Sequence, residues 1–150
     1  MAVEVSKVVR TLRLKVKREG YAWLNAAAIE VNQVWDFANQ TAFRAVDSPC
    51  PRPYKWLSAF DLDKITAGAC KYFEHIGSDT IQRVNAEYAI RRNQIKKRKL
   101  RWRVSDGPKR SLGWIPFKAV QLKRKGTSLR FSGKTLRVFQ RDDARHGSAR

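Results

Sequence analysis

The hydrophobic period of this chain changes twice, and that pattern limits the folds open to it. In residues 7–17, Val8, Leu12, Leu14 and Val16 fall on one parity, and Lys7, Thr11, Arg13, Lys15 and Lys17 on the other. A period of two marks a strand with one apolar and one basic face. In residues 21–46 the apolar positions Leu24, Ala28, Val31, Trp35, Ala38 and Ala42 recur at spacings of three and four, the stripe of an amphipathic helix. After Ser105-Asp-Gly-Pro108 the period returns to two, and 117–122, 127–131 and 134–139 read as short strands. They are separated by Lys123-Arg-Lys-Gly126 and a tight turn at Ser132-Gly133. A meander of this size needs partners, and the first strand is available. The pattern predicts an α+β fold: a small antiparallel β-barrel, OB-like, or a curled sheet, built from residues 1–19 and 104–140 and interrupted by a helical insertion at 20–103. The tail 141–150 has no periodicity and is expected to fray.

Within the insertion, the first helix carries only Glu30, Asp36 and Arg44 as charges. Asn25, Asn32 and Asn39 repeat every seven residues along one edge. That edge reads either as a solvated margin of the core or as a neutral hydrogen-bonding face for a nucleic acid. Three prolines at 49–53 impose a loop. A short helix is expected over 60–73, entered at Asp61 or Asp63. Gly77 suits a left-handed stop and Ser78 or Asp79 the next start. A long helix then runs from about Thr80 to about Lys99, with Ile81, Val84, Tyr88 and Ile95 on its buried stripe.

Charge is segregated along this framework. Residues 1–89 hold 12 Lys/Arg against 10 Asp/Glu, whereas 90–150 hold 20 against 3, so nearly all of the net +19 lies in the last 61 residues. Eight cations lie between Arg91 and Arg103 with no acid among them. Such self-repulsion destabilises a compact state unless a polyanion relieves it, and nucleic acid supplies phosphates whose counterions are released on binding. Hydrophobic content of 43% is enough for a core, so the chain is not a basic disordered tail. No apolar run reaches membrane-spanning length, and the N-terminus lacks a signal-peptide pattern. Cys50 and Cys70 match no zinc spacing and read as reduced thiols of a cytoplasmic protein.

Catalytic arrangements are missing from the sequence. There is no Walker-type glycine loop. His75 and His146 give the Ser and Cys side chains no convincing base. The basic half offers only Asp106, Asp142 and Asp143, too few for a metal-dependent nuclease. Asp61 and Asp63 are explained by helix capping. Neither a metal nor a cofactor is expected, and the chain is read as having no catalysis of its own.

Aromatic residues are interleaved with the cations. Trp102 sits within Lys96-Lys-Arg-Lys-Leu-Arg-Trp-Arg103, and Trp114, Phe117, Phe131 and Phe139 follow in the basic half. Cations neutralise phosphates while aromatic faces stack on unpaired bases. The plainer reading of Trp114, Phe131 and Phe139 is barrel core, preferred for Phe131 and Phe139, and Trp102 reads as a stacking or cation–π residue. The candidate RNA-binding set is Arg13, Lys15, Arg91, Arg92, Lys96, Lys97, Arg98, Lys99, Arg101, Trp102, Arg103, Lys123, Arg124 and Lys125.

Three stretches carry a family likeness: Val8-Val-Arg-Thr-Leu-Arg-Leu14, with the Trp/Asn-rich helix after it; Ile76-Gly-Ser-Asp-Thr-Ile-Gln-Arg-Val-Asn-Ala-Glu-Tyr-Ala89, leading into the basic run; and Ser111-Leu-Gly-Trp-Ile-Pro-Phe-Lys118, then Leu129-Arg-Phe-Ser-Gly-Lys-Thr-Leu-Arg-Val-Phe139. In this order the chain, over residues 6–139, resembles the N-terminal portion of the TnpB-like transposon-encoded RNA-guided nucleases, relatives of the compact type V CRISPR effectors. The resemblance implies a β-barrel wedge domain interrupted by a helical recognition domain. The wedge grips the guide RNA scaffold, and the two domains together read a short motif in duplex DNA beside the target.

Cleavage in that family belongs to a later RuvC-like domain with three acidic residues and divalent metal. The resemblance places the end of this chain where that domain begins, so a truncated form is expected, with the nuclease domain supplied elsewhere. It also implies DNA contacts from Ser78, Thr80 and Gln82, and from Ser111 and Trp114. Glutamine can pair bidentately with adenine, which gives Gln82 a chemical rationale. On this reading the partners are guide RNA and target-adjacent duplex DNA, with no membrane, and the location is the cytoplasm, at the nucleoid. The competing reading is a general structural RNA-binding protein of the ribosome-associated type.

Overall fold

The computed structural model describes residues 7, 9, 11, 13–47, 56–131 and 133–139. Helix α1 spans Tyr21–Asp47. No Gly or Pro interrupts it, and it ends just ahead of Ser48-Pro49, because the residue before a proline is pushed out of helical geometry. Ala28, Val31, Trp35, Ala38 and Ala42 of the expected stripe are buried. Helix α2, Ala59–Ile65, starts earlier than expected. Its cap is Ser58, whose hydroxyl accepts from the Asp61 N–H at 3.2 Å while the Asp61 carboxylate accepts from the Ser58 N–H at 3.0 Å. This capping box makes Asp61 the third residue of the helix and not its entry. A 3-10 turn follows at Ala69–Tyr72.

Helix α3, Ser78–Ile95, packs on both α1 and α2. Gly77 precedes it in extended geometry (φ −101°), so the expected left-handed stop there is not formed. The long helix expected to reach Lys99 ends at Ile95, and Lys96 turns left-handed with φ 56°. Ile81, Val84 and Tyr88 are buried as the stripe predicts, but Ile95 is half exposed because the chain leaves the helix there. Trp35 meets the Tyr88 ring edge-on at 5.2 Å between centroids. Together with Leu57, Leu62, Ile76 and Leu100 these residues form the main core.

The expected β-barrel is not formed. The structure holds an open three-stranded antiparallel sheet of β1 (Leu122–Lys125), β2 (Ser128–Phe131) and β3 (Lys134–Arg137), in that order. Lys123-Arg-Lys, expected as a connection, is strand β1, and 119–121 form a 3-10 turn where a strand was expected. Among the described residues the first segment contributes a single bridge, Val16 to Val138, with Lys17 N–H donating to Arg137 O at 2.8 Å and Phe139 N–H to Lys15 O at 3.0 Å. Val8 and Leu12 of that expected strand lie outside the described residues, as do Ser132 of the expected turn, Cys50 in the proline loop, and the tail with His146, Asp142 and Asp143.

The physical reason for the open sheet is where its apolar face is buried. Leu129, Leu136 and Val138 pack with Val16 and Leu122 onto Trp23 and Leu24 at the start of α1, so the sheet covers a helix and has no need to close on itself. Gly20 permits the close approach, since a Cβ there would lie 2.9 Å from Leu136 Cδ2 and 3.1 Å from Val16 Cγ1. Trp23 also contacts the Phe131 and His75 rings, tying the sheet to the helical core. The edge strand β1 reads Leu-Lys-Arg-Lys, and charge of this kind is a common protection of an unpaired edge.

Candidate nucleic-acid interface

The basic run after α3 is a strap without helix or strand, residues 97–105, held by one face of α1. Asn32, Trp35, Asp36 and Asn39 stand at i, i+3, i+4 and i+7, so they share that face. Asn39 is fully buried and pairs with the Leu100 peptide as a neighbouring strand would. Its Nδ2 donates to Leu100 O at 2.7 Å and its Oδ1 accepts from Leu100 N–H at 2.9 Å. The Tyr88 hydroxyl donates to the same Oδ1 at 3.1 Å. Trp35 Nε1 donates to Arg101 O at 3.3 Å, Asp36 Oδ1 accepts from Arg103 N–H at 2.8 Å, and Asn32 Nδ2 donates to Ser105 Oγ at 3.1 Å. Of the amide edge, Asn25 is exposed, whereas Asn32 and Asn39 are buried under the strap, Asn39 satisfying the backbone of Leu100 and Asn32 donating to the Ser105 hydroxyl.

Because the strap's backbone and Leu100 face inward, its charges face out. Lys96, Lys97, Arg98, Lys99, Arg101 and Trp102 are exposed, as is Arg91 on the last turns of α3. No carboxylate occurs in the sequence between Glu87 and Asp106. Lys99 Nζ lies 4.6 Å from the Trp102 ring centroid, the cation–π geometry expected for that tryptophan.

Two candidate arginines are diverted. Arg92 is fully buried. Its Nη2 donates to Ala42 O at 3.3 Å and its Nε to Lys97 O at 3.4 Å, and its guanidinium lies 3.8 Å from the Trp56 ring, so it staples the root of the strap to α1 and does not reach the surface. The Arg103 guanidinium lies 4.5 Å from the ring centroids of both Trp35 and Trp114. Burial pulls both guanidinia below the ordinary arginine range, against the Asp36 charge in the case of Arg103.

The sheet presents a second basic face. The register aligns Lys123 with Arg130 and Lys125 with Ser128, and Ser128 in turn with Arg137. Lys123, Lys125, Arg130 and Arg137 are exposed on the side away from Leu129 and Leu136. Arg124 pairs across from Leu129 on the opposite row, and its Nε donates to Gly126 O at 3.3 Å. Arg13 and Lys15 are exposed on the adjoining N-terminal segment. Lys15 and Lys17 lie over the Phe139 ring at 5.6 and 5.5 Å. Phe139 is accordingly half exposed and not core, while Phe131 is buried.

The expected DNA-reading residues are separated into two places. At the start of α3, Ser78 is exposed but Thr80 is fully buried, accepting from Gln121 Nε2 at 3.4 Å. Gln82 Oε1 accepts from Lys118 Nζ at 2.5 Å, and the same ammonium pairs with Asp79 at 3.3 Å. Ser111 and Trp114 lie instead by the strap. The Ser111 hydroxyl accepts from Val104 N–H at 3.2 Å, and Trp114 packs edge-on against Trp35.

His75 is structural. Glu30 gathers the backbone N–H groups of Glu74, His75 and Ile76 and contacts His75 Nδ1 at 3.0 Å. Cys70 is a free thiol. Among the described residues no group of three or more His, Cys, Asp or Glu side chains could hold a metal ion, and no helix is long and apolar enough to cross a membrane. Comparison with known proteins found no matching family model, no matching curated protein and no matching solved structure.

Proposed function

We propose that this chain is a nucleic-acid-binding module without catalysis of its own, which grips folded RNA through the strap and the outer face of the sheet. The observation that carries the reading is the ladder from Trp35, Asp36 and Asn39 to the strap backbone, continued by Asn32 to the Ser105 hydroxyl. It holds an acid-free cationic segment against α1 with most of its charges outward, at the cost of buried polar side chains on α1. Pre-ordering the segment lowers the entropy lost when it meets a polyanion.

The more specific form of the proposal is the guide-RNA-gripping, target-adjacent portion of a TnpB-like RNA-guided nuclease, acting at the nucleoid. It rests on the sequence resemblance, with cutting assigned to a separate RuvC-like domain. In that form Gln82 reads DNA only once Lys118 has moved to a phosphate and released it.

The test is the salt dependence of binding to a structured RNA. With six to ten phosphates neutralised, affinity should fall by ~10³–10⁵ between 50 and 200 mM salt. An affinity that hardly changes over this range removes the basis of the proposal.

A further inference from the structure

The two basic faces differ in chemistry. The sheet face sets Lys123, Lys125, Arg130 and Arg137 among the hydroxyl side chains of Ser128 and Thr135, with Arg137 paired to Glu19 at 3.6 Å, whereas the strap borders an open groove of about 930 Å³ lined by both cations and apolar surface. Trp35 and Leu100 lie at its base, with Trp102, Ile95 and Val104 exposed along it and Arg91, Arg101 and Lys109 as exposed cations. None of its lining residues is acidic. The groove lies in the size range of small-molecule sites, ~300–1,000 Å³.

A duplex hides its bases and offers only phosphates and sugars to such a surface, and would leave the apolar part of this groove uncovered. An unpaired strand offers phosphates to the cations and base faces to the aromatic ring. Trp102 suits this role because its side chain lines the groove half exposed, and the Lys99 ammonium, 4.6 Å from its ring centroid, sets a cation beside it. Trp35 is buried and Trp114 packs edge-on against it, with the Arg103 guanidinium 4.5 Å from each ring, so neither is available for stacking.

We infer that the groove beside the strap is a site for an unpaired RNA segment. Trp102 stacks on a base there, and Arg91, Arg101 and Lys109 hold the flanking phosphates. The inference rests on the RNA-binding reading and adds to it a division of labour, with unpaired nucleotides in the groove and paired backbone on the sheet.

The experiment measures affinity of the full chain for two probes, a fluorescein-labelled ten-nucleotide oligouridine and a blunt 16-base-pair RNA duplex, at 50 and 200 mM salt. Trp102→Ala should weaken oligouridine binding by about 10-fold, within the range of one lost base stack, and leave duplex binding within about twofold. The oligouridine ratio of wild type to variant should be the same at both salt concentrations, because stacking releases no counterions. Trp102→Phe should restore most of the affinity. Equal weakening for both probes, or no weakening for oligouridine while duplex binding persists, overturns the groove assignment and leaves the RNA-binding reading standing. Absence of binding to both probes by the folded wild-type chain overturns the reading and the assignment together.

Discussion

At the scale of single residues, the side chains that matter most are those that sequence chemistry treats as unremarkable. Asn39 satisfies both polar groups of the Leu100 peptide inside the core. Asn39→Ala would leave a buried N–H and a buried C=O unpaired, and each costs ~1–3 kcal/mol. The expected outcome is a loss of ~2–5 kcal/mol in denaturant unfolding, with RNA affinity falling in the same variant because the strap is released.

Asp36 makes a different prediction. Burial raises its pKa above the ordinary 3.8, against the lowering by the Arg103 N–H and guanidinium. A carboxyl group that binds its proton more tightly when folded contributes stability that is complete below the unfolded value. That contribution is lost as pH rises through the folded value. Asp36→Asn keeps an oxygen for the Arg103 N–H and should abolish this group's part of the decline in stability above about pH 4, read from urea midpoints across pH. If the variant retains the full wild-type slope, the decline originates elsewhere.

At the scale of elements, the strap couples the helices to the nucleic-acid surface. Its charges are separable from its backbone. Replacing Lys96, Lys97, Arg98 and Lys99 with glutamine should leave the α1 ladder intact and the melting temperature nearly unchanged. The slope of log affinity against log salt should become shallower by up to ~0.9 for each phosphate contact removed, without a change in sequence preference, since phosphate contacts position and do not specify. A lower affinity with an unchanged slope would mean that these side chains do not meet phosphates.

Gly20 is the corresponding point for the sheet. A methyl group there meets Leu136 and Val16 inside a packed apolar contact. Gly20→Ala should therefore cost ~1–3 kcal/mol, the usual penalty of overpacking, with the loss of amide protection concentrated in β3.

At the scale of the whole molecule, Trp23 joins the two hydrophobic clusters, and the sheet buries its apolar face on the start of α1. Three four-residue strands are too short for an independent sheet without a packed face. Deleting residues 1–18 removes Val16, its bridge to Val138, and the backbone bonds at Arg137 and Phe139. Hydrogen exchange should then show 134–139 opening first, with α1 and α3 still protected. Unchanged protection over 134–139 would mean that the helix contact alone holds the sheet.

Sequence by itself determined what depends on neighbours along the chain. The stripe from Ala28 to Ala42 gave α1 its buried face, Ser105-Asp-Gly-Pro108 fell outside regular structure, and six of the eight cations of the acid-free run at 91–103 remained exposed, because burying that many like charges is prohibitive. Tertiary structure decided what depends on distant partners. Period-two patterning around 117–139 could not reveal whether the apolar face would close into a barrel or settle on a helix, and Trp23 with Leu24 supplied the helix.

The heptad spacing of Asn32 and Asn39 was visible, but its use was not, since the groups it satisfies lie more than sixty residues away at Leu100 and Ser105. Arg92 and Arg101 look alike in sequence. One is buried under Trp56 and the other stands on the strap, because α3 stops at Ile95 and Lys96 turns the chain back toward Asn39. Local pattern set the faces of the elements, and long-range hydrogen bonding chose which cations a polyanion can reach.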